Sequence, residues 1–156
     1  MSAARKLQTP VRKRSALENT FSASIDGTEP LNFKAVFEQV TYPQEGEPPR
    51  WTIEARYRDP NTNHIQTVRV IFLKNPANNK PVLANEELRV LYSNTAEDPP
   101  AEYFTNDATT AIEFDEATAA VKGTISATVD DGLESQKSHE LTIEFDLVAE
   151  EWSKRM

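Results

Sequence analysis

The chain has 156 residues, no cysteine, 10 prolines, 4 glycines and a net charge of −8. A length near 150 residues suits one domain, and the absence of thiols excludes disulfide scaffolds, thiolate zinc sites, iron–sulfur clusters and cysteine nucleophiles. No apolar run approaches the roughly 18 residues of a spanning helix, so no membrane span is expected.

Residues 1–14 hold Arg5, Lys6, Arg12, Lys13 and Arg14 and no acid, a local charge of +5. This stretch lacks the apolar run and cleavage site of a secretory signal, and Pro10 interrupts any amphipathic transit helix, so a cytoplasmic location is expected. Few apolar residues are available to offset the entropy of ordering, about 1–2 kcal/mol per residue. Residues 1–17 therefore read as a flexible basic arm, 18–152 as the folded body and 153–156 as a tail.

From Phe21 the dominant period is two, the mark of half-buried strands. Phe21–Asp26 ends at the turn pair Asp26-Gly27. Over 31–42, Phe33, Ala35 and Phe37 alternate with Lys34, Val36 and Glu38 as in a strand. A helix over 33–40 would also group Phe33, Val36, Phe37 and Val40, and it is kept as the alternative. Trp51, Ile53, Ala55 and Tyr57 share one strand face, and Asp59-Pro60-Asn61-Thr62-Asn63 forms the loop into a second strand, His64–Leu73. That second strand is apolar on both faces, which places it centrally with cover on both sides. Glu87–Ser93 reads as a strand. The region 111–148 reads as a three-strand meander, with its last hairpin turning at Asp130-Asp131-Gly132 and with Gly123 marking a bulge or close approach. The prolines fall in the arm or mainly between these strands, where a missing N–H does least harm. The expected fold is all-β, a single antiparallel β-sandwich of about 7–8 strands, with a small β-barrel as alternative.

Candidate chemistry is sparse. His64 and His139 each begin a strand beside a turn, and with no cysteine or ligand spacing they read as exposed strand-end residues; a functional role would need carboxylates delivered by the fold. Asp59, Asn61 and Asn63 match the first half of a calcium loop, but His64 replaces the glycine and Val70 stands where a bidentate Glu belongs, so turn chemistry explains them. There is no nucleophile elbow and no glycine-rich phosphate loop. The chain is therefore read as non-enzymatic, with no cofactor and no metal. An enzyme working through paired carboxylates would need two of them to face each other in a cleft.

Tyr103 and Phe104 lie in a connection rich in Pro, Asp and Glu, and are read as a plug over the open end of the fold or as a ligand-contacting pair. Residues 97–151 hold fifteen acids against Lys122 and Lys137, a charge of −13 that disfavours laying the body on nucleic acid. Nucleic acid or anionic lipid is reachable only through the arm. The leading expectation is an interaction protein. Its arm, through Arg5, Lys6, Arg12, Lys13 and Arg14, docks on an acidic protein partner or on a second copy of the chain. The alternative is a small-ligand, carbohydrate or lipid binder with an aromatic-lined pocket.

Overall fold

A computed structural model describes residues 19–40, 50–73, 88–97, 101–132 and 137–149. Among the described residues there are nine strands: β1 (Thr20–Ile25), β2 (Leu31–Asn32), β3 (Lys34–Val40), β4 (Arg50–Arg58), β5 (Ile65–Phe72), β6 (Leu88–Asn94), β7 (Glu102–Asp115), β8 (Ala120–Asp130) and β9 (Ser138–Val148). The all-β expectation holds. All nine strands belong to one sheet in the order β2-β1-β9-β8-β7-β6-β5-β4-β3, which corresponds to the barrel and not to two facing sheets.

Each strand from β3 to β9 pairs antiparallel with the next, and β9 returns to pair with β1 from Thr20↔Asp146 to Ile25↔Leu141. The two end strands, β2 and β3, are consecutive pieces of one segment interrupted at Phe33. β2 pairs with β1 and β3 pairs with β4, so this segment brings the ends of the sheet together. The Phe33 amide donates to the Phe21 carbonyl at 2.8 Å, which pins the break. The alternation over 31–42 predicts one unbroken strand, with a helix over 33–40 as alternative; the segment is two strands. A helix would leave the polar backbone edges of β1 and β4 unpaired.

The period-two pattern does the sorting. Phe21, Ala23 and Ile25 of β1, Trp51, Ile53 and Ala55 of β4, Val68, Val70 and Phe72 of β5, and Leu141, Ile143, Phe145 and Leu147 of β9 all point inward and are buried. The ring of Phe37 stacks on Trp51 with centroids 4.5 Å apart and meets Phe72 and Phe114 edge-on, at 6.4 and 6.3 Å. Phe114 also meets Trp51 at 5.9 Å, so aromatic rings from β3, β4, β5 and β7 fill the interior together. Fully burying side chains of this size is worth about 1.5–3 kcal/mol each in transfer free energy.

Three local devices shape the sheet. At the β4–β5 loop, the Asp59 side chain accepts from the Asn61 amide at 2.8 Å, the Asp59 carbonyl accepts from Asn63, and Asn63 adopts a φ of 65°. These residues serve the turn, as their types suggested. At Gly123, which faces Ile112, an added Cβ would lie 2.2 Å from the Ala111 carbonyl oxygen, so two backbones approach where no side chain fits. Between Thr105 and Asp107 the β7–β8 register shifts, and β6 pairs with β7 only from Leu91↔Phe104 to Ser93↔Glu102. Beyond that point the Thr105 hydroxyl takes over, accepting from the Val90 amide and donating to the Val90 carbonyl at 2.9 Å. Strand β7 therefore begins at Glu102, nine residues ahead of the meander start at Ala111 read from sequence, inside what looked like a loop.

Candidate functional site: the barrel mouth and two outer walls

The up-and-down order sets Asp26, Asp59–His64, Thr95–Glu97, Ala101, Asp131, Gly132 and Lys137 at one end of the barrel. There the fold delivers what the sequence could not place beside His139. Its Nδ1 lies 2.6 Å from Asp26 Oδ2, and its Nε2 lies 3.2 Å from Glu97 Oε2. The other oxygen of Glu97 accepts from the Tyr103 hydroxyl at 2.7 Å. Tyr92 and Tyr103 meet the imidazole edge-on, with centroids 5.2 and 4.5 Å away. The result is a chain Tyr103–Glu97–His139–Asp26 linking β7, the β6–β7 loop, β9 and the end of β1.

The reading of His139 as an exposed strand-end residue is thus corrected: its side chain is 21% exposed and bridges two carboxylates. His64 stays close to that description, exposed at the strand end with Nδ1 3.2 Å from the Thr95 hydroxyl.

Carboxylate oxygens only accept, so both contacts of His139 are hydrogen bonds when both ring nitrogens carry protons. Asp26 sits at φ 56°, and its Oδ1 accepts from the Glu140 amide at 2.9 Å. Partial burial pushes its carboxyl up, but the bonds from Glu140 and His139 outweigh this and hold it below the usual value. Burial, with the Glu97 carboxylate alongside, pushes the Tyr103 hydroxyl well above the ordinary phenol range. Burial likewise pushes Tyr92 up to about 12, and its hydroxyl donates to Gln66 Oε1 at 2.9 Å. Both phenols are fixed donors at neutral pH. The mouth is a satisfied polar cap over the aromatic interior. Among the described residues, no group of three or more His, Asp or Glu is arranged to hold a metal ion.

Tyr103 and Phe104 separate. Adjacent residues of a strand face opposite sides, and Tyr103 is 1% exposed inside the mouth while Phe104 is 46% exposed on the outer wall. Tyr103 plugs; Phe104 does not. Arg5, Lys6, Arg12, Lys13 and Arg14 lie outside the described residues, as does the tail.

The outer wall divides into two unlike halves. Strands β3 to β6 carry Lys34, Arg50, Arg56, Arg58, Arg69 and Arg89 against Glu38 and Glu54. Glu54 is already engaged, by Arg56 at 2.6 Å and Arg69 at 3.3 Å. Apolar side chains also face outward here, with Val36 53% exposed and Ile65, Ile71 and Leu91 half-buried. A depression of about 850 Å³ lies on this half, lined by Lys34, Val36, Arg56, Arg58, Ile65 and others.

Strands β7, β8, β9 and β1 carry eight acids, Glu102, Asp107, Glu113, Asp115, Asp130, Glu140, Glu144 and Asp146, against Lys122. Between these charges the outward positions of β8, β9 and β1 hold small hydroxyls such as Thr20, Ser22, Thr124 and Thr142. A second depression, of about 520 Å³, lies on this half beside Gly123, lined by Glu113, Glu144 and Asp146 and by Lys122, which pairs with Glu113 at 3.8 Å.

No family model, characterised protein or solved structure matches the chain. Among the described residues no helix is long and apolar enough to cross a membrane.

Proposed function

We propose that this protein is a non-enzymatic interaction module, a solid β-barrel that works through protein–protein contacts made by its outer wall and its basic arm. One observation carries the reading: the interior positions are occupied by the barrel's own aromatic and aliphatic side chains, while the outer wall sorts its charge into a cationic, partly apolar half and an acidic, hydroxylated half. Arginine with exposed apolar and aromatic groups is the composition favoured at protein interfaces, where Lys, Glu and Asp are depleted. The small-ligand alternative needs an aromatic-lined pocket; rings such as Phe37, Trp51 and Phe114 take up the space inside the barrel, and the two outer depressions are lined mainly by charged and polar side chains. In this reading the arm, from Arg5 to Arg14, adds cationic reach toward an acidic protein surface, and the module acts in the cytoplasm.

The test is co-purification with the tagged full chain at moderate salt, beside a form lacking residues 1–17 and a form carrying Lys34→Glu and Arg58→Glu. The expected result is a stoichiometric protein component, either another protein or a second copy, weakened by both changes. A chain that stays monomeric and retains no stoichiometric protein at low or moderate salt overturns the reading.

A further inference from the structure

The two depressions are not separate features: Asn32 lines both. Asn32 pairs with Ser22, and Ser22 pairs with Glu144, so Glu144–Ser22–Asn32 forms one row across the outer face. On the other side of Asn32 the Lys34↔Arg56 pairing brings Arg58 to the same level, and Arg58 and Asn32 line the same depression. Glu144 and Arg58 are then three strand positions apart, roughly 14 Å at about 4.8 Å per strand. An anionic rim and a cationic rim flank a narrow band of small polar residues, at the place where the sheet's ends meet.

A patch that is negative on one side of a line and positive on the other is complementary to itself after a half-turn. We propose that this seam is a homodimer interface, with a two-fold axis passing between Ser22 and Asn32 so that Arg58 of each copy, with Lys34 beside it, faces Glu144 of the other. The idea deepens the interaction reading given above and rests on it; its partner is a second copy of this chain.

Several observations support that occupant. Among the described residues Lys34, Arg58 and Glu144 make no ion pair within their own barrel, so their charges remain available to a partner. Thr20 and Ser22 at the seam are short, which lets two backbones come close. Val36 supplies exposed apolar area beside the cations. An isologous arrangement satisfies both rims in a closed dimer, whereas a side-to-side stack would leave one rim of each end copy open and keep growing. Two chains of net charge −8 repel at long range. That repulsion is largely screened beyond about 8 Å at 0.15 M ionic strength, while contacting pairs inside a partly dry interface are screened much less.

Charge reversal tests the geometry. Arg58→Glu and Glu144→Arg are made singly and together in the full chain, and mass is read by light scattering and sedimentation at 0.15 M salt, a strength at which only short-range contacts persist. Both positions lie on the outer wall, and circular dichroism and the thermal midpoint check that each variant folds as wild type does. The expected pattern is a wild-type dimer, each single variant weakened at least tenfold, and association recovered in the double variant. An equimolar mixture of the two single variants should also recover a heterodimer, because each then offers the sign the other lacks at both contacts.

A wild-type chain that is monomeric at its highest soluble concentration overturns the proposal, as does a mixture that fails to associate. Masses that climb without limit overturn the two-fold arrangement. If wild type is monomeric but the tagged chain retains a different protein that Lys34→Glu with Arg58→Glu releases, self-pairing fails and the interaction reading stands. If nothing is retained, both fail.

Discussion

The two halves of the barrel follow the same alternation and do different things with the positions that face out. On β8, β9 and β1 the outward residues are mostly hydroxyls and acids, Thr124, Ser126, Glu144 and Ser22 among them, with Lys122 the exposed cation. Strands of this kind need only water on that side. On β3 to β6 the outward set includes Val36, Ile71 and Leu91 among the arginines. Folding does not require those apolar groups, because the inward face of the same strands already supplies a buried core. The lesson is that a strand's second face records what the surface is for, while its first face records how the chain folds.

The largest effect should come from removing what joins the halves. Phe37→Ala deletes a ring that touches Trp51, Phe72 and Phe114, and should cost about 3–5 kcal/mol in chemical denaturation. If it costs under about 1 kcal/mol, the interior is not the shared core described, since surface changes generally lie within about 0.5 kcal/mol. Next comes Gly123→Ala, whose new methyl must displace the Ala111 carbonyl. A backbone shift of this kind is expected to cost about 1–3 kcal/mol, read from the same curves.

At the mouth, His139→Ala removes the ring that lies between Asp26 and Glu97 and should cost about 1–2 kcal/mol, less than a fully buried pair because the site is partly open. Asp26 adds a pH signature. Its carboxyl is held below its unfolded value of 3.8, so its contribution is present above that value and is lost as pH falls toward the folded one. Asp26→Asn should therefore flatten the acid limb of the stability profile relative to wild type, and an unchanged limb would remove Asp26 from the account. The smallest effect marks the contrast between faces. Val36→Ser on the outer wall should change stability by no more than about 0.5 kcal/mol, although it neighbours Phe37 in sequence.

How much of this could be read from residues alone follows from the range of each interaction. The hairpin from Trp51 to Leu73 and the meander after Ala111 declare themselves because pairing and turn chemistry there are local. The mouth does not. The partners of His139 lie 113 and 42 residues away, and only closure of the sheet brings them together. Asp26 looked like a turn former, which it is, and nothing nearby announces that its side chain also holds β9. Tyr103 and Phe104 read as a pair because their Pro-, Asp- and Glu-rich neighbours resemble a loop, whereas in β7 they face opposite sides. Even the charge count misled in one respect. Residues 15–96 are nearly balanced, at −2, yet the strands within that stretch present a cationic wall because several of its acids lie outside them.

Asn19 grips the far end of β9 twice, accepting from the Val148 amide at 2.9 Å and donating to its carbonyl at 3.2 Å, across 129 residues. During synthesis at about 5–20 residues per second, β1 therefore emerges roughly 6–26 s before the strand that covers its other edge. For that interval a short strand bearing Phe21 and Ile25 waits with one side unclaimed, and the barrel cannot complete itself until β9 has emerged. A pause in synthesis before residues 138–148 would prolong this exposure, whereas a permuted gene joining residue 149 to residue 19 and opening at the Asp115–Ala119 turn would make β9 and β1 neighbours from the start.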